Sequence, residues 1–325
     1  MEYSTSDIEA ALQNVKDNAQ SDVSVFPTAP SSKVTIDGVE RKLEPREYTA
    51  YQESVGNYEK EILTSFIQSD FYKNGDADSQ AEAIGTIYSF SKALATNELF
   101  GQELTGTNKS LYDLYDRYGG EGISCYFNAD HLAKTDPDNK TNKGEDRGLA
   151  SSTAMKQYQY LTQSGMSDEQ AGEYLYQSEA SDSECALYEE YGGSALGQYY
   201  EFKNAVQGSS EKGKYDTKTA VFTLKNSNMS EELKGAYLRT AGSIELQKEN
   251  GRNTKAGKIY ADLGDTGIYR YYLYKYQADY DGSGSISKDE ATDFVQYNIE
   301  PSEQNYWFDM LKSSSKTKNP FPYLH

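Results

Sequence analysis

Apolar residues recur at helical spacing through most of the chain, and the breaks between periodic stretches define its elements. Ile8, Ala11, Leu12 and Val15 predict a short amphipathic helix over Ser6–Asn18. A Pro/Ser linker follows over Val25–Ser32. Lys33–Leu43 then alternates about Asp37-Gly38, a two-residue turn signal, and predicts a β-hairpin. Pro45 opens a long helix to about Ser69, with Tyr48, Tyr51, Val55, Tyr58, Ile62 and Phe66 on one face. A second long helix, Ser79–Phe100, follows Gly75-Asp76-Ala77-Asp78, and its stripe of Ile84, Ile87, Tyr88, Ala93 and Leu94 reads as core.

From about residue 108 the pattern repeats. Leu114-Tyr115-Asp116-Arg117-Tyr118-Gly119-Gly120 is matched by Leu187-Tyr188-Glu189-Glu190-Tyr191-Gly192-Gly193 and by Ile259-Tyr260-Ala261-Asp262-Leu263-Gly264-Asp265. A second marker recurs downstream in the same order: Met166-Ser167-Asp168-Glu169-Gln170, Met229-Ser230-Glu231-Glu232-Leu233 and Glu300-Pro301-Ser302-Glu303-Gln304. Two markers that keep their order at intervals of about seventy residues indicate three copies of one helical unit. In each copy a helix ends at the Gly pair, where a left-handed cap is available, and a Tyr-rich helix runs on to a loop. A third helix leaves the loop, and a Ser with acids behind it caps a fourth.

The loop of the third copy, Asp279–Glu290, carries the strongest chemical signal. It has the form of a calcium-binding EF-hand loop, with oxygen-bearing side chains at positions 1, 3, 5, 9 and 12, Gly284 at 6 and Ile286 at 8. Asp279, Asp281 and Ser283 offer side-chain oxygens and Ser285 its carbonyl. Ser287 would hold a bridging water, and Glu290 closes the shell with both oxygens. Gly284 takes the sharp turn, and Ile286 points away from the ion to pack against a neighbouring strand or loop. With only three ligand carboxylates, one Ca2+ is expected to bind at about 10⁻⁶–10⁻⁴ M. Ile268–Ala278 is the entering helix and Lys288–Gln296 the leaving one. The matching loop of the first copy, Asp136–Thr141, keeps two Asp but has Lys140 at position 5 and no Gly at 6. That of the second, around Ser209–Thr217, has almost no carboxylates. Both read as structural loops. EF-hands pair through position 8, so here either a degenerate loop supplies the partner strand or the site stands alone. Both alternatives favour a structural ion over a cooperative sensor.

Composition narrows the function further. A net charge of −19 argues against nucleic-acid and anionic-membrane partners. Thirty tyrosines supply much of the apolar surface while keeping wet hydroxyls, which suits shallow cores and broad contact surfaces. Cys125 and Cys185 are too few for a disulfide framework and read as reduced core residues. No apolar run reaches transmembrane length, and the first residues lack a signal-peptide pattern. The chain is therefore expected in the cytoplasm as made, in a virion, as a fragment of something larger, or exported by another route.

The sequence carries no nucleophile pattern. His131 and His325 lack partners in sequence, and His131 beside Asp130 reads as a surface-loop residue. Tyr118-Gly119-Gly120-Glu121-Gly122 lacks the preceding strand that a phosphate-binding turn needs. Carboxylate pairs abound in so acidic a chain and nominate no glycosidase residue.

Four segments carry a family resemblance. They are Val39–Tyr48 leading into Gly56; the Ser79–Thr96 helix with Tyr88-Ser89-Phe90-Ser91-Lys92-Ala93-Leu94-Ala95; the EF-hand loop with Ser302-Glu303-Gln304 beyond it; and Asn319-Pro320-Phe321. Together the pattern resembles the helical repeat regions of long structural proteins, tape-measure-like or minor virion components, encoded by prophages of Gram-positive gut bacteria. The resemblance implies an architectural role among protein partners such as other virion proteins.

The expected fold is mainly α: a helical repeat array or irregular bundle with one small N-terminal β-hairpin and one EF-hand. Its expected divisions are 1–32 (helix and linker), 33–105 (hairpin and two long helices), 106–180, 181–250 and 251–315 (three repeats) and 316–325 (tail). The leading functional expectation is a non-enzymatic calcium-binding structural or interaction protein whose ion braces the last repeat. A calcium-responsive protein-binding module and a glycan-acting phage enzyme are the alternatives. The enzyme would require a deep cleft holding a Glu of raised pKa.

Overall fold

The computed structural model describes residues 3–20, 29–141, 144–145, 147–178, 180–209, 216–242 and 254–313. Among these residues the chain is mainly α, with one two-stranded antiparallel sheet. It divides into two compact units, Met1–Glu179 and Ala180–His325.

The first unit begins with α1 (Thr5–Asn18), started by a capping box in which Ser4 and Asp7 satisfy each other's backbone N–H groups. Strands β1 (Lys33–Ile36) and β2 (Val39–Lys42) pair in the register Ile36↔Val39. Asp37 and Gly38 both have positive φ (51° and 77°), as a tight two-residue hairpin turn demands. Val34 and Leu43 then pack with Tyr51, Val55 and Ala95 from the two helices that follow. These are α2 (Pro45–Phe66) and α4 (Ala77–Phe100), the latter closed by Gly101 in the left-handed conformation. The expected run of α2 to Ser69 is corrected. The helix stops at Phe66, and Ser69 caps a separate short helix, α3 (Asp70–Asn74), by accepting from the Tyr72 amide. That serine is a start signal inside what the apolar spacing presents as one helix.

The three repeats share one plan. The first is α5 (Thr107–Thr135), α6 (Ala154–Gln163) and α7 (Asp168–Ser178), in the first unit. The second is α8 (Asp182–Ser209), α9 (Thr217–Lys225) and α10 (Glu231–Ala241), and the third is α11 (Lys255–Ala278), α12 (Lys288–Asn298) and α13 (Gln304–Leu311). These last two repeats share the second unit. The markers fall where expected, but the Gly pairs do not form left-handed caps. Gly119, Gly192 and Gly264 combine positive φ with extended ψ (59°/−154°, 84°/179° and 63°/−156°), and the chain resumes its helix at once. Each long helix is therefore kinked at a conformation open to glycine alone. The downstream serines behave unequally. Ser167 and Ser230 accept from the amides of Gln170 and Leu233, whereas α13 is preceded by Glu303 in the helical region and Ser302 caps nothing.

Close approach at the kinks fixes the packing. In the first unit a Cβ on Gly120 would come within 3.0 Å of the Glu61 carbonyl oxygen and 3.1 Å of the Ile62 Cα on α2. In the second unit a Cβ on Gly235 of α10 would lie 1.7 Å from the Asp265 carbonyl oxygen at the kink of α11. Tyr199, Tyr200 and Tyr237 are fully buried beside Phe202, so tyrosine builds a deep core here and not only the shallow ones expected.

Tyrosine also offsets a shortage of cations. Phenol hydroxyls donate to carboxylates from Tyr115 to Glu61 (2.7 Å), Tyr158 to Asp168 (2.9 Å), Tyr191 to Asp265 (3.1 Å) and Tyr306 to Asp262 (3.1 Å), and also from Tyr118 to Glu173. In so acidic a chain these neutral donors add to what Lys and Arg supply: Glu61, Asp168 and Asp262 are met by a phenol, while Glu173 and Asp265 are met by a phenol together with an arginine. Cys125 and Cys185 are free and only half-buried, a correction to their reading as core. His131 lies on α5 with its ring 4.9 Å from that of Phe71, not in a surface loop. The segments 21–28, 210–215 and 314–325, which hold half of the expected linker, most of the second-repeat loop and the tail, lie outside the described residues.

Candidate metal centre

The candidate site forms between α11 and α12. Asp279 caps α11, its amide still bonded to the Lys275 carbonyl at 3.2 Å. Gly282 and Gly284 both take positive φ (67° and 78°), and they turn the chain back on itself within the loop. Ser287 then starts α12 through a capping box. Its hydroxyl accepts from the Glu290 amide (3.2 Å), and Glu290 Oε2 accepts from the Ser287 amide (2.8 Å). The entering helix ends at Ala278, as expected, and the leaving helix runs to Asn298, two residues beyond Gln296.

This turn brings Asp279, Asp281 and Glu290 together, with one oxygen of each within 4.8 Å of the others. Hydrogen bonds hold each group in place. Asp279 Oδ2 accepts from the Gly284 amide (3.0 Å), Asp281 Oδ1 from the Ser283 amide (2.9 Å) and Glu290 Oε1 from the Tyr280 amide (3.1 Å). The other Asp279 oxygen, Oδ1, is buried and has no hydrogen-bond partner. Ser283 lies in the same turn and donates its hydroxyl to the Ser285 carbonyl (3.0 Å), whereas the Ser287 hydroxyl is committed to the helix cap. Bonds from Ser283 hold the Asp281 carboxyl below its usual range. Burial pulls Glu290 upward, but the bonds from Ser287 outweigh it and its net shift is downward. Both groups are therefore ionised at neutral pH, as cation ligands must be.

Ile286, at position 8, is buried in a helical core with Phe294, Val295, Trp307 and Leu311, not against a strand or loop. Both of its backbone groups are taken by Ser313, just beyond α13. The Ile286 amide donates to Ser313 Oγ (3.1 Å), and the Ser313 amide donates to the Ile286 carbonyl (2.8 Å). The pairing partner is thus Ser313, just after α13, which no loop comparison would single out. A turn before Asp279, burial lowers the Lys275 ammonium to about 8, helped by Lys255 and opposed by Asp279; it lies 5.3 Å from the Tyr271 ring centre.

Two further features were not legible as sites. Arg239 on α10 and Asp265 on α11 form a buried two-pronged ion pair (2.6 and 2.8 Å), extended by Glu190 (3.0 Å). Asp265 occupies the position that is Gly120 or Gly193 in the other copies. The second feature is Glu59 on α2, whose carboxyl burial pushes up to about 7 and whose Oε1 has no partner. It lines neither of two cavities in the first unit. One, of about 360 Å³, is bordered by Lys109, Asp113, Arg117, Tyr118 and Glu173; the other, of about 130 Å³, by Phe71, Glu82, Asp130, His131 and Lys134. Among the described residues no helix is long and apolar enough to cross a membrane. No family model matches the chain, and no curated protein or solved structure matches it either.

Proposed function

We propose that this is a non-enzymatic, calcium-binding structural protein in which one Ca2+ braces the third repeat between α11 and α12. The observation that carries this reading is the convergence of Asp279, Asp281 and Glu290, with one oxygen of each within 4.8 Å of the others, beside a buried Asp279 oxygen that has no hydrogen-bond partner. Negative charges held this close repel one another, and a buried carboxylate oxygen without a donor is costly. A hard divalent cation answers both problems. Asp279, Asp281, Ser283, the Ser285 carbonyl and Glu290 are an all-oxygen donor set suited to Ca2+, with Ser287 placed to act through a water. The ion would tie two helices whose apolar faces already share a core, which favours a brace over a switch. A virion assembly, with other virion proteins as partners, is the setting we propose from the sequence resemblance.

The test is a thermal melt with excess Ca2+ and with EDTA, followed by Trp307 fluorescence, together with calorimetric titration. At a hundredfold excess over Kd, calcium should stabilise the second unit by about 2.7 kcal/mol. No shift in the melt and no heat of calcium binding would refute the proposal.

A further inference from the structure

The first repeat solves the same electrostatic problem without an ion. Asp136 is the first residue after α5, as Asp279 is the first after α11, and each keeps an amide bond to the carbonyl four residues back (3.1 and 3.2 Å). Lys156 is the third residue of α6, as Glu290 is the third of α12. So the residue that closes the acidic loop in the third repeat is a lysine in the first. Its ammonium reaches into the loop, donating to Asp136 Oδ2 (3.0 Å) and to the Asp138 carbonyl (2.9 Å). One turn further along each leaving helix the contrast continues. Tyr160 donates its hydroxyl to Asp136, whereas the equivalent Phe294 offers no donor and packs its ring against Tyr274. Asn139 completes the first loop: the two N–H groups of its side chain are shared among the carbonyls of Ala133 and Arg147 and Ser152 Oγ.

The two loops are thus opposite in kind. In the third repeat, the helix after the loop brings an acceptor to two acids. In the first, it brings a cation and a phenol donor to one. We infer that Lys156 is the first repeat's own cation, a covalently held counterpart of the ion in the third, so that the joint between α5 and α6 needs no metal. On this reading the change on the leaving helix matters alongside Lys140 in the loop. For the third repeat the inference rests on the calcium reading above, but for the first it stands on the lysine geometry alone. In the second repeat the equivalent residue is Thr219, whose hydroxyl donates to the Asp216 cap (2.8 Å).

The test is hydrogen exchange on the full chain, comparing wild type, Lys156→Gln, Asp136→Asn and the double variant, each with Ca2+ and with EDTA. The reporters are the hydrogen-bonded amides of Asp136, Asn139 and Gln157 in the first repeat, and of Asp279, Ile286 and Ala291 in the third. Lys156→Gln should speed exchange at the first set roughly tenfold, with or without calcium. Because Asp136→Asn removes the charge that Lys156 neutralises, the double variant should exchange within about threefold of Asp136→Asn alone. EDTA should speed exchange only at the third-repeat set. Unchanged first-repeat exchange in Lys156→Gln, additive effects in the double variant, or first-repeat loosening by EDTA in wild type would each overturn the inference. If EDTA leaves the third repeat unaffected while Lys156→Gln loosens the first with the expected coupling, the calcium reading fails and the role of Lys156 stands.

Discussion

Replacing Gly235 by alanine sets two effects of opposite sign against each other. Gly235 lies inside α10, where helix propensity favours alanine by about 1 kcal/mol. The same methyl group would sit 1.7 Å from the Asp265 carbonyl oxygen and 2.4 Å from its carbonyl carbon. Real Cβ contacts below 3.0 Å are essentially never made, so the two helices must part by about 1.3 Å, the difference between 3.0 and 1.7. Both obstructing atoms are backbone, so no side-chain rotation relieves the clash. A separation of that size stretches the 2.6 and 2.8 Å bonds between Arg239 and Asp265 to about 4 Å, beyond hydrogen bonding. Breaking a buried ion pair costs about 3–5 kcal/mol, which outweighs the propensity gain and leaves a net loss of about 2–4 kcal/mol. Urea unfolding followed by tryptophan fluorescence reads this directly, because the only tryptophan, Trp307, shares a core with Ile259 and Tyr271 of α11. Gly56→Ala is the control. A methyl there meets nothing within 4 Å, and the variant should gain up to about 1 kcal/mol, read by circular dichroism. A Gly235→Ala midpoint at or above wild type, with an unchanged slope, would refute the reasoning.

Three further outcomes are expected. Arg239→Met should destabilise the second unit by about 3–5 kcal/mol, and adding Asp265→Leu should recover most of it; a double variant no more stable than the single one would refute the pairing. Glu59 binds its proton more tightly folded (about 7) than unfolded (4.5), so its contribution is full below about pH 4.5 and is lost as pH rises through about 7. Glu59→Gln should accordingly be more stable than wild type at pH 8 and show a flatter pH profile by denaturant titration; identical profiles would exclude the assignment. Glu290→Gln should weaken calcium binding, followed by Trp307 fluorescence, by about tenfold or more, and an unaltered affinity would remove Glu290 from the ligand set.

Local signals were legible where one residue type suffices. Asp37-Gly38 announces its hairpin because few other pairs tolerate two positive φ values, and the repeated glycines announce a break in each long helix. The kind of break was not legible, since left-handed cap and kink both ask for positive φ at the same residue. The loop's acids were legible from spacing within twelve residues. What closes the loop was not: Ser313 lies far along the chain and carries no motif. Arg239–Asp265 and Lys156–Asp136 were hidden for another reason. In a chain with 51 acidic residues, most cations have many acids as apparent partners, and only the packed helices choose among them. Lys156 stands out only in the register of the helix starts, where the third residue of α6 corresponds to Glu290 of α12.

The bonds between Ile286 and Ser313 also set how a bound ion would be felt. They occupy, within the chain, the peptide edge through which one such loop passes strain to another. With that edge closed, an ion bound as proposed would have no route through Ile286 to a second loop. Occupancy would follow a simple hyperbola with a Hill coefficient of one, spread over roughly two decades of free calcium. If calcium braces this repeat as proposed, its stiffness would grade with the free ion and show no threshold.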